Sequence, residues 1–528
     1  MDKRIKLLDC TLRDGGYVND FRFGKQTIRG IIQKLSDASV DVIECGFLRS
    51  GAFDPDRSLF GSVSAIKEVI GKKNPNLMYV AMIQYGKLSM EELEECDGTS
   101  VDGIRLTFHE HEIDEAFVQG AQIIRKGYKL FMQPVGTMTY TDDALLDLIQ
   151  RINQLHPYAF YMVDTLGTMY KNDLLRMYYL VDHNLDKSIV VGFHSHNNLQ
   201  LSFANAQELM QLNSARELIV DASVYGMGRG AGNLNTELVT QYINACFGLR
   251  YDNIQILEII DEYIRPLSLQ YAWGYEAAYY ISAVSGCHPN YATFLLDKQT
   301  LHVQDIHKIL SGMAPEKRSL FDKAYIADLY LTYMNNRVDD AATREMIHEK
   351  LDNRPVLLIA PGKSAESEAE MLNRWVQENN AYVISVNFIP EFCRADMTFV
   401  SNIKRFTNMK EVADKVETVV ITSNISHEDT AHVAVVDYLS YTNEDSLITD
   451  NAGLMCINLM RTVGVKNLYL AGFDGFSVNQ TDNYFNASMY MKVENERLLA
   501  VNEAVSNKLE QLKAQMDITF LTKTVYRT

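Results

Sequence analysis

The sequence predicts an α/β protein in which a (β/α)8 TIM barrel is followed by a helical extension and a Rossmann-like α/β domain. Three observations support this. Apolar runs alternate with segments of helical periodicity over the first ~240 residues, a length typical of such a barrel. Polar and ionisable residues follow the ends of these runs. A new strand, turn and helix pattern begins at Pro355.

Eight short apolar runs predict the strands of the barrel, since strands buried on both faces are apolar throughout. Segments between them have helical periodicity, as in Thr27–Ser39 and Asp142–Leu155. An open doubly wound sheet is the alternative, but no GxGxxG motif follows the first strand to favour it. The predicted strands are Ile5–Asp9, Val42–Gly46, Leu77–Met82, Gly103–Thr107, Tyr128–Gln133, Ala159–Asp164, Ile189–His194 and Leu218–Ser223.

The composition is that of a soluble globular protein, with 47% hydrophobic and 22% charged residues among 528. The net charge of -18 argues against nucleic acid or an anionic membrane as the main partner. We find no apolar stretch of about 18 residues that predicts a membrane span, and no apolar signal-peptide core. The 7 cysteines form no CxxC, which fits reduced thiols, so we expect a cytoplasmic protein.

Polar side chains follow almost every predicted strand. In a TIM barrel the carboxyl ends of the strands carry the chemistry, because all eight open onto one face. A barrel under selection for stability alone has no need of ionisable groups there. The residues at these ends are Thr11, Leu12, Arg13, Asp14 and Gly15, then Glu44, Thr107, His109, Gln133, Asp164, His194, His196 and Asp221.

The stretch VVGFHSHNN, residues 190–198, predicts a metal site. His194 and His196 are two residues apart on a strand and therefore point to the same side. The glycine-rich stretch YGMGRGAGN ends on Asn233, whose amide oxygen is a further candidate ligand. With Asp14 they form a mixed N/O set that suits Mn²⁺ or Mg²⁺, with Zn²⁺ or Co²⁺ as alternatives. The simpler readings are ordinary polar residues and a flexible or phosphate-binding loop.

Three motifs resemble the barrel metallolyase superfamily, which includes the hydroxymethylglutaryl-CoA lyases, the isopropylmalate synthases and the 4-hydroxy-2-oxovalerate aldolases. They are DCTLRDGG at 9–16, GFHSHNN at 192–198 and GMGRGAGN at 226–233. The sequence is most similar to the aldolases, through EYIRPL at 262–267 and WGYEAAYYISA at 273–283. The resemblance covers residues 1 to about 315.

This resemblance implies roles for individual residues. Asp14, His194 and His196 would ligate the metal, and Asn233 stands where some members place a further ligand. Arg13 would stabilise the enolate oxygen, because a guanidinium binds developing negative charge. Glu44 would orient Arg13 or a bound water. Tyr275 aligns with a tyrosine that the aldolases use as an acid or base, although core packing in an aromatic-rich helix is an equal alternative.

The segment after RDG departs from the family pattern. Tyr17 and Phe21 stand where the aldolases carry histidines, one of which is catalytic. Gly16 stands where the Claisen-type synthases have an acidic residue, and the glycine loop lacks the cysteine of the lyases. The proton-transfer group is therefore open, with His109 or Tyr17 as possible substitutes.

The predicted domains are the barrel at 1–265, a helical extension and linker at 266–354, and the Rossmann-like domain at 355–528. The GKS sequence at 362–364 is not a nucleoside-triphosphatase loop, because Leu357 replaces the glycine that this motif requires. The helix start after it is a candidate anion site. Residues at which we expect any ligand of this domain are Gly362, Ser364, Asn387 and Asp474.

Together these features predict a divalent-metal-dependent aldolase that makes or cleaves a C–C bond through the enolate of a 2-oxo acid such as pyruvate. We expect a 2-oxo acid and an aldehyde as substrates, and a homo-oligomer. One alternative is an acyl-CoA-dependent Claisen condensing enzyme of the isopropylmalate synthase type. The other is a non-catalytic metal-binding module.

Overall fold

A computed structural model describes most of the chain, which divides into two compact units. The first contains the residues up to Thr293 together with Leu310–Phe321, and the second contains Phe294–Ile309 together with the residues from Asp322 onward. None of the helices in the described ranges is both long and apolar enough to span a membrane. The described residues are 4–51, 54–212, 214–298, 300–409, 415–427, 432–477, 483–485 and 495–526.

The first unit contains a closed barrel of eight parallel strands. Their order is β1-β8-β7-β6-β5-β4-β3-β2, and β2 pairs with β1 to close the ring. A two-residue strand, Leu59–Phe60, adds to the end of β2. The eight-stranded barrel predicted from the sequence is confirmed. The strands are β1 (Ile5–Asp9), β2 (Val42–Leu48), β3 (Met78–Gln84), β4 (Gly103–Phe108), β5 (Lys129–Pro134), β6 (Ala159–Asp164), β7 (Val190–Ser195) and β8 (Leu218–Ala222).

Helices surround the barrel and pack their apolar faces on it. The helix Asp142–Leu155 shows how local sequence sets an element: Thr141 caps its amino terminus by accepting the backbone N–H of Ala144, and Leu145, Leu148, Ile149 and Ile152 are buried at helical spacing. The connection from β3 to β4, all of whose residues are described, has no α-helix; there Glu94 accepts from the backbone N–H and the hydroxyl of Ser64. The barrel helices are Lys25–Asp37, Val63–Ile70, Ile113–Arg125, Asp142–Leu155, Lys171–Asn184, Ser202–Gln211 and Thr236–Phe247.

Further helices follow the barrel, as predicted for the region after it. The helix beginning at Asn253 passes through a single π-helical turn, Ile260–Ile264, before Pro266. The helices of this part of the chain are Asn253–Ile259, Arg265–Ser268, Ala277–Val284, Pro289–Lys298, Val303–Ser311, Lys323–Met334 and Ala341–Leu351. The three-domain division given above stays a prediction.

The second unit is built on an open, fully parallel sheet of seven strands, which confirms a second α/β domain. The strand order is β13-β12-β11-β10-β9-β14-β15. The two edge strands are β13 and β15. The strands are β9 (Val356–Ile359), β10 (Tyr382–Val386), β11 (Met397–Val400), β12 (Thr418–Thr422), β13 (Val433–Val436), β14 (Asn467–Ala471) and β15 (Asp517–Phe520); the helices are Lys363–Ser367, Ala369–Asn379, Ile403–Met409, Tyr438–Tyr441, Ala452–Thr462 and Asn495–Lys513.

The strand order reverses between β9 and β14, which is the position where open α/β sheets bind ligands. Here the Asp474 carboxylate accepts the backbone N–H of Ser364 at 2.8 Å and also the Ser364 hydroxyl. That hydroxyl lies 2.7 Å from the Thr522 hydroxyl. The helix start proposed above as an anion site is therefore occupied by a carboxylate of the protein itself.

Candidate metal centre

Asp14, His194 and His196 converge at the carboxyl ends of the barrel strands. Asp14 lies in the loop after β1, His194 lies in β7, and His196 follows β7 directly. All three side chains are buried, and one potential ligand atom from each lies within 4.8 Å of the others. The imidazole ring centroids are 5.3 Å apart with nearly perpendicular planes. The structure thus brings together the three residues that the sequence predicted to bind a metal.

The ring of His194 is oriented by Asp221 on β8. Its Nδ1 lies 3.0 Å from Asp221 Oδ2. Burial acts to raise the pKa of Asp221, but the charge of Arg105 and the contact with His194 outweigh it, so the pKa lies below its usual range. Because an ionised carboxylate only accepts, Nδ1 of His194 carries the proton of this hydrogen bond, and Nε2 is the ring atom available to a metal. Such a carboxylate–histidine pair is typical of metal ligands in proteins.

The imidazole of His196 is held in the form that binds a metal. Its Nε2 lies 3.9 Å from Asp14 Oδ2, and its buried Nδ1 has no hydrogen-bond partner in the described part of the chain. Burial lowers the pKa of His196 to about 3, and the positive charge of Arg229 adds to the effect. A neutral imidazole is the state that ligates a cation.

Asp14 is an ionised, fully buried carboxylate. Its Oδ1 accepts from Arg13 Nη1 at 2.6 Å, and its Oδ2 accepts from Asn233 Nδ2 at 2.6 Å. Burial acts to raise the pKa of Asp14, but Arg13 and the two histidines hold it well below its usual range. The carboxylate therefore needs no proton release before it binds a cation.

Asn233 completes the cluster from the glycine-rich loop. Its amide nitrogen donates to Asp14 and to the Met227 carbonyl at 3.0 Å. Its Oδ1 is buried and has no hydrogen-bond partner among the described residues. A Cβ at Gly228 would overlap the Asn233 amide and lie 3.2 Å from Asp14 Oδ2, so a glycine is required for this approach.

These residues fit a divalent cation. Asp14 supplies a carboxylate, His194 and His196 supply two imidazoles, and Asn233 presents an amide oxygen with no other partner among the described residues. A buried unpaired amide oxygen is costly in the absence of a ligand. This mixed N/O donor set is typical of sites for divalent transition metals and Mg²⁺.

Arg13 lies beside the cluster and is held by two carboxylates. Its Nε donates to Glu44 Oε2 at 2.9 Å, and its Nη1 donates to Asp14. Burial acts to lower the pKa of Arg13, but Glu44 and Asp14 raise it well above its usual value, so the guanidinium is always charged. Its Nη2 has no partner among the described residues. The structure thus places Glu44 where it orients Arg13.

Arg105, in the middle of β4, was not predicted from the sequence. It is completely buried, donates to Glu44 Oε2 at 2.6 Å through Nη1, and donates to Asp221 through Nη2. Its guanidinium lies 4.9 Å from the ring centroid of Tyr161. One sequence feature could have indicated this network: Arg105 is a charged residue inside the apolar run GIRLTF. A buried arginine requires carboxylate partners.

His109 and Tyr275 are the predicted proton-transfer residues. Among the described residues, neither forms a hydrogen bond or an ion pair with the four candidate ligands. His109 follows β4, is half-buried and lies 5.8 Å from the ring of His111; burial lowers its pKa. Tyr275 is 62% exposed and forms no hydrogen bond within the described residues. Their catalytic roles therefore stay predictions.

His288 was also not predicted, and it is electrostatically coupled to the site. Burial lowers its pKa to about 3, and the charge of Arg229 acts in the same direction. Its Nδ1 accepts the backbone N–H of Asn290 at 3.1 Å. The neutral ring therefore carries its proton on Nε2. No sequence motif marks this histidine, because it lies in the helical region after the barrel.

Comparisons with known proteins agree with this geometry. Residues 4–247 match the sequence model of the HMGL-like family. A 4-hydroxy-2-oxovalerate aldolase of Geobacillus genomosp. 3 is 27% identical over 272 residues, 50% of this chain and 77% of that protein. An oxaloacetate decarboxylase of Mycobacterium tuberculosis is 29% identical over 241 residues, 44% of this chain and 67% of that protein.

A solved structure supports the fold alone. The carboxyl transferase domain of Rhizobium etli pyruvate carboxylase superposes with a TM-score of 0.50 at 13% identity, over 66% of this chain and 65% of that one. At such low identity the match shows a shared fold and says nothing about the substrate.

Residues 4–247, which match the HMGL-like family model, contain the buried Asp-His-His cluster that could hold a metal ion. The relatives of this part of the chain include proteins named as an aldolase and a decarboxylase. The resemblance predicted from the three motifs is confirmed.

Proposed function

We propose that the barrel is a divalent-metal-dependent aldolase that makes or cleaves a C–C bond through the enolate of a 2-oxo acid such as pyruvate. The observation that carries the proposal is the buried cluster of Asp14, His194 and His196 with Arg13 fixed beside it. The aldolase and the decarboxylase among the relatives support the same type of chemistry.

We assign the metal site to Asp14, His194, His196 and Asn233, with Mn²⁺ or Mg²⁺ as the ion. When bound, the cation supplies positive charge to the carboxylate and keto oxygens of the 2-oxo acid. The protein supplies a second positive charge through Arg13, whose Nη2 donors are not used within the described protein. Charge held in place by buried partners stabilises an enolate more than a ketone, because the enolate carries more negative charge.

A protein group must also take a methyl proton from the 2-oxo acid and return one to the product oxygen. Tyr275 and His109 remain our candidates for this transfer. We expect the second substrate to be an aldehyde, and the protein to act in the cytoplasm as a homo-oligomer. All 7 cysteines are unpaired, which supports a reducing compartment.

Enolisation needs no aldehyde, so it tests the proposal directly. Incubated with Mg²⁺ in deuterated water, the protein should exchange the methyl protons of pyruvate, followed by the loss of the methyl NMR signal. Removal of the metal should stop the exchange. Arg13→Lys should slow it about 100-fold or more, because lysine lacks the planar fork of donors. Arg125→Lys, on an outer helix, is the matched control and should exchange normally.

The same assay separates the alternatives. Exchange of acetyl-CoA protons in place of pyruvate protons would support a Claisen condensing enzyme. Metal binding with neither exchange would support a non-catalytic metal-binding module. Release of carbon dioxide from oxaloacetate would show that the enolate is formed by decarboxylation, as the name of the Mycobacterium tuberculosis relative suggests.

A further inference from the structure

Arg229 lies in the glycine-rich loop that also carries Gly228 and Asn233. Its side chain is half-buried, and its guanidinium carbon lies 3.8 Å from the ring centroid of Tyr17. Tyr17 is in turn packed edge-on against Phe21 and Phe47, at centroid distances of 5.1 and 5.9 Å. An aromatic ring held from two sides therefore fixes the position of this cation.

The guanidinium of Arg229 has no carboxylate partner and no hydrogen-bond acceptor in the described ranges of the chain. Arg13 and Arg105, by contrast, each contact two carboxylates. Stacking on an aromatic ring leaves the N–H donors at the edge of the guanidinium unused. Arg229 is thus positioned in the manner of a binding residue, with its donors available.

The glycine-rich loop brings Arg229 next to the metal centre. Gly228, the residue before it, contacts Asn233 and Asp14 closely. The cation is therefore adjacent to the reaction centre, on the side marked by Tyr17, which is 37% exposed, whereas Arg13 is 5% exposed. Solvent therefore reaches the Tyr17 side of the cluster more readily than the Arg13 side.

We propose that Arg229 binds an anionic group of the acceptor aldehyde, so that the enzyme couples its enolate to an aldehyde that carries a carboxylate or a phosphate. This inference rests on the proposed aldolase function and names the class of its second substrate. The carboxylate of the 2-oxo acid is already assigned to the metal, and its enolate oxygen to the metal and Arg13. An unpaired, half-buried cation next to that position favours a second anion, because the pair gains strength away from bulk water.

The coupling step is balanced without a further reactant. The methyl carbon of the 2-oxo acid, as the enolate, forms a bond to the aldehyde carbon, and the aldehyde oxygen takes up the proton that the methyl group has lost. Arg229 takes no part in this transfer; it positions the aldehyde by its anionic group.

The test compares aldehydes that differ in charge: butyraldehyde as the neutral acceptor, succinic semialdehyde as the carboxylate with the same number of carbons, and glyceraldehyde 3-phosphate as the phosphate. Arg229→Gln should raise the KM of the anionic acceptors about tenfold or more, and change that of butyraldehyde less than threefold, because a charged hydrogen bond is lost. The two anionic arms distinguish carboxylate from phosphate. Arg151→Gln is the matched control: Arg151 also stacks on an aromatic ring, Phe117, but pairs with Asp114 on the outside of the barrel.

Tyr17 supplies a second test. Tyr17→Phe should keep the anionic preference, because the ring is retained, whereas Tyr17→Leu should weaken it without removing the charge. Binding of each aldehyde is also measured by calorimetry on the metal-loaded protein with oxalate, a non-reacting bidentate analogue of the enolate. The affinity of the anionic aldehydes should again fall in Arg229→Gln.

Three results would overturn the inference. The first is an equal loss of neutral and anionic acceptors in Arg229→Gln. The second is a raised KM for pyruvate with unchanged acceptor binding, which would assign Arg229 to the 2-oxo acid. The third is tighter binding of butyraldehyde than of both anions by the wild-type protein. Failure of the aldolase proposal is seen separately, as the absence of pyruvate proton exchange in the wild type.

Discussion

Asp221 is the carboxylate that couples the metal centre to the barrel wall. It accepts from His194 Nδ1 and from Arg105, so it orients one ligand and is itself held by a buried cation. Partners of this kind act on metal binding by fixing the tautomer and the direction of the ligand. Although Asp221 touches no position that we assign to substrate, its effect on activity is therefore expected to be large.

We predict that Asp221→Asn weakens metal binding about 10–100-fold. The amide can offer its NH₂ group to Nδ1, which selects the wrong tautomer of His194, and it no longer neutralises Arg105. Mn²⁺ titration followed by electron paramagnetic resonance measures the affinity. Asp37→Asn, at the exposed end of an outer helix, is the control. An unchanged Mn²⁺ affinity would remove Asp221 from the metal site.

Gly228 makes a sharp steric prediction. In Gly228→Ala the new methyl group overlaps the Asn233 amide and presses on Asp14, and we expect a loss of metal affinity of about tenfold or more. Gly61→Ala is the matched control, because the nearest atom to its new Cβ is a carbonyl oxygen at 3.5 Å. Equal metal affinities in the two variants would contradict the close approach of the glycine loop to the cluster.

Residues whose positions follow from strand periodicity or barrel topology were predicted best. His194 and His196 share a strand, and Asp14 follows the first strand of the same barrel, so strand periodicity and topology were enough to bring them together. Arg105 was missed because its partners, Glu44 and Asp221, are 61 and 116 residues away. No local pattern reports such pairs. Arg229 lies in the motif GMGRGAGN, but only the structure shows that it has no carboxylate partner among the described residues.

At the scale of elements, β4 ties the barrel together through one side chain. Arg105 joins β4 to Glu44 on β2 and to Asp221 on β8, across the inside of the barrel. Gln133 on β5 faces the same guanidinium, and with its oxygen turned inward it accepts from Arg105 at 2.9 and 3.1 Å. This network explains how strands that are not neighbours keep the metal ligands in register.

We predict that Arg105→Met destabilises the barrel by about 3–5 kcal/mol, because Glu44 and Asp221 are left buried and unpaired. Hydrogen exchange of the barrel-core amides should accelerate about 100-fold or more, with the amides of the second sheet as an internal reference. The combination of Arg105→Met with Glu44→Gln and Asp221→Asn should recover much of the stability but not the metal affinity. Unchanged exchange in the single variant would contradict this account.

For the whole molecule, the site and its support lie within the barrel. The four candidate ligands fall between residues 14 and 233, and the barrel closes through its own β1–β2 pairing. We predict that a fragment of residues 1 to 321, which contains the whole first unit, folds and binds Mn²⁺ with an affinity within about threefold of the full chain. Circular dichroism and Mn²⁺ titration check this. A fragment that is insoluble or free of metal, beside a soluble full-length protein, would show that the barrel depends on the rest of the chain.

Asp14 follows the first strand and His194 lies in the seventh, so the metal site forms only late in folding. Asp14 and His194 are 180 residues apart in the sequence, and the chain between them forms most of the barrel. During synthesis from the amino terminus, the site stays incomplete until β7, β8 and the glycine-rich loop with Asn233 have emerged and docked, and contacts of such high sequence separation form late. Tight metal uptake therefore marks barrel closure, and its rate in refolding should follow the slowest step of barrel assembly.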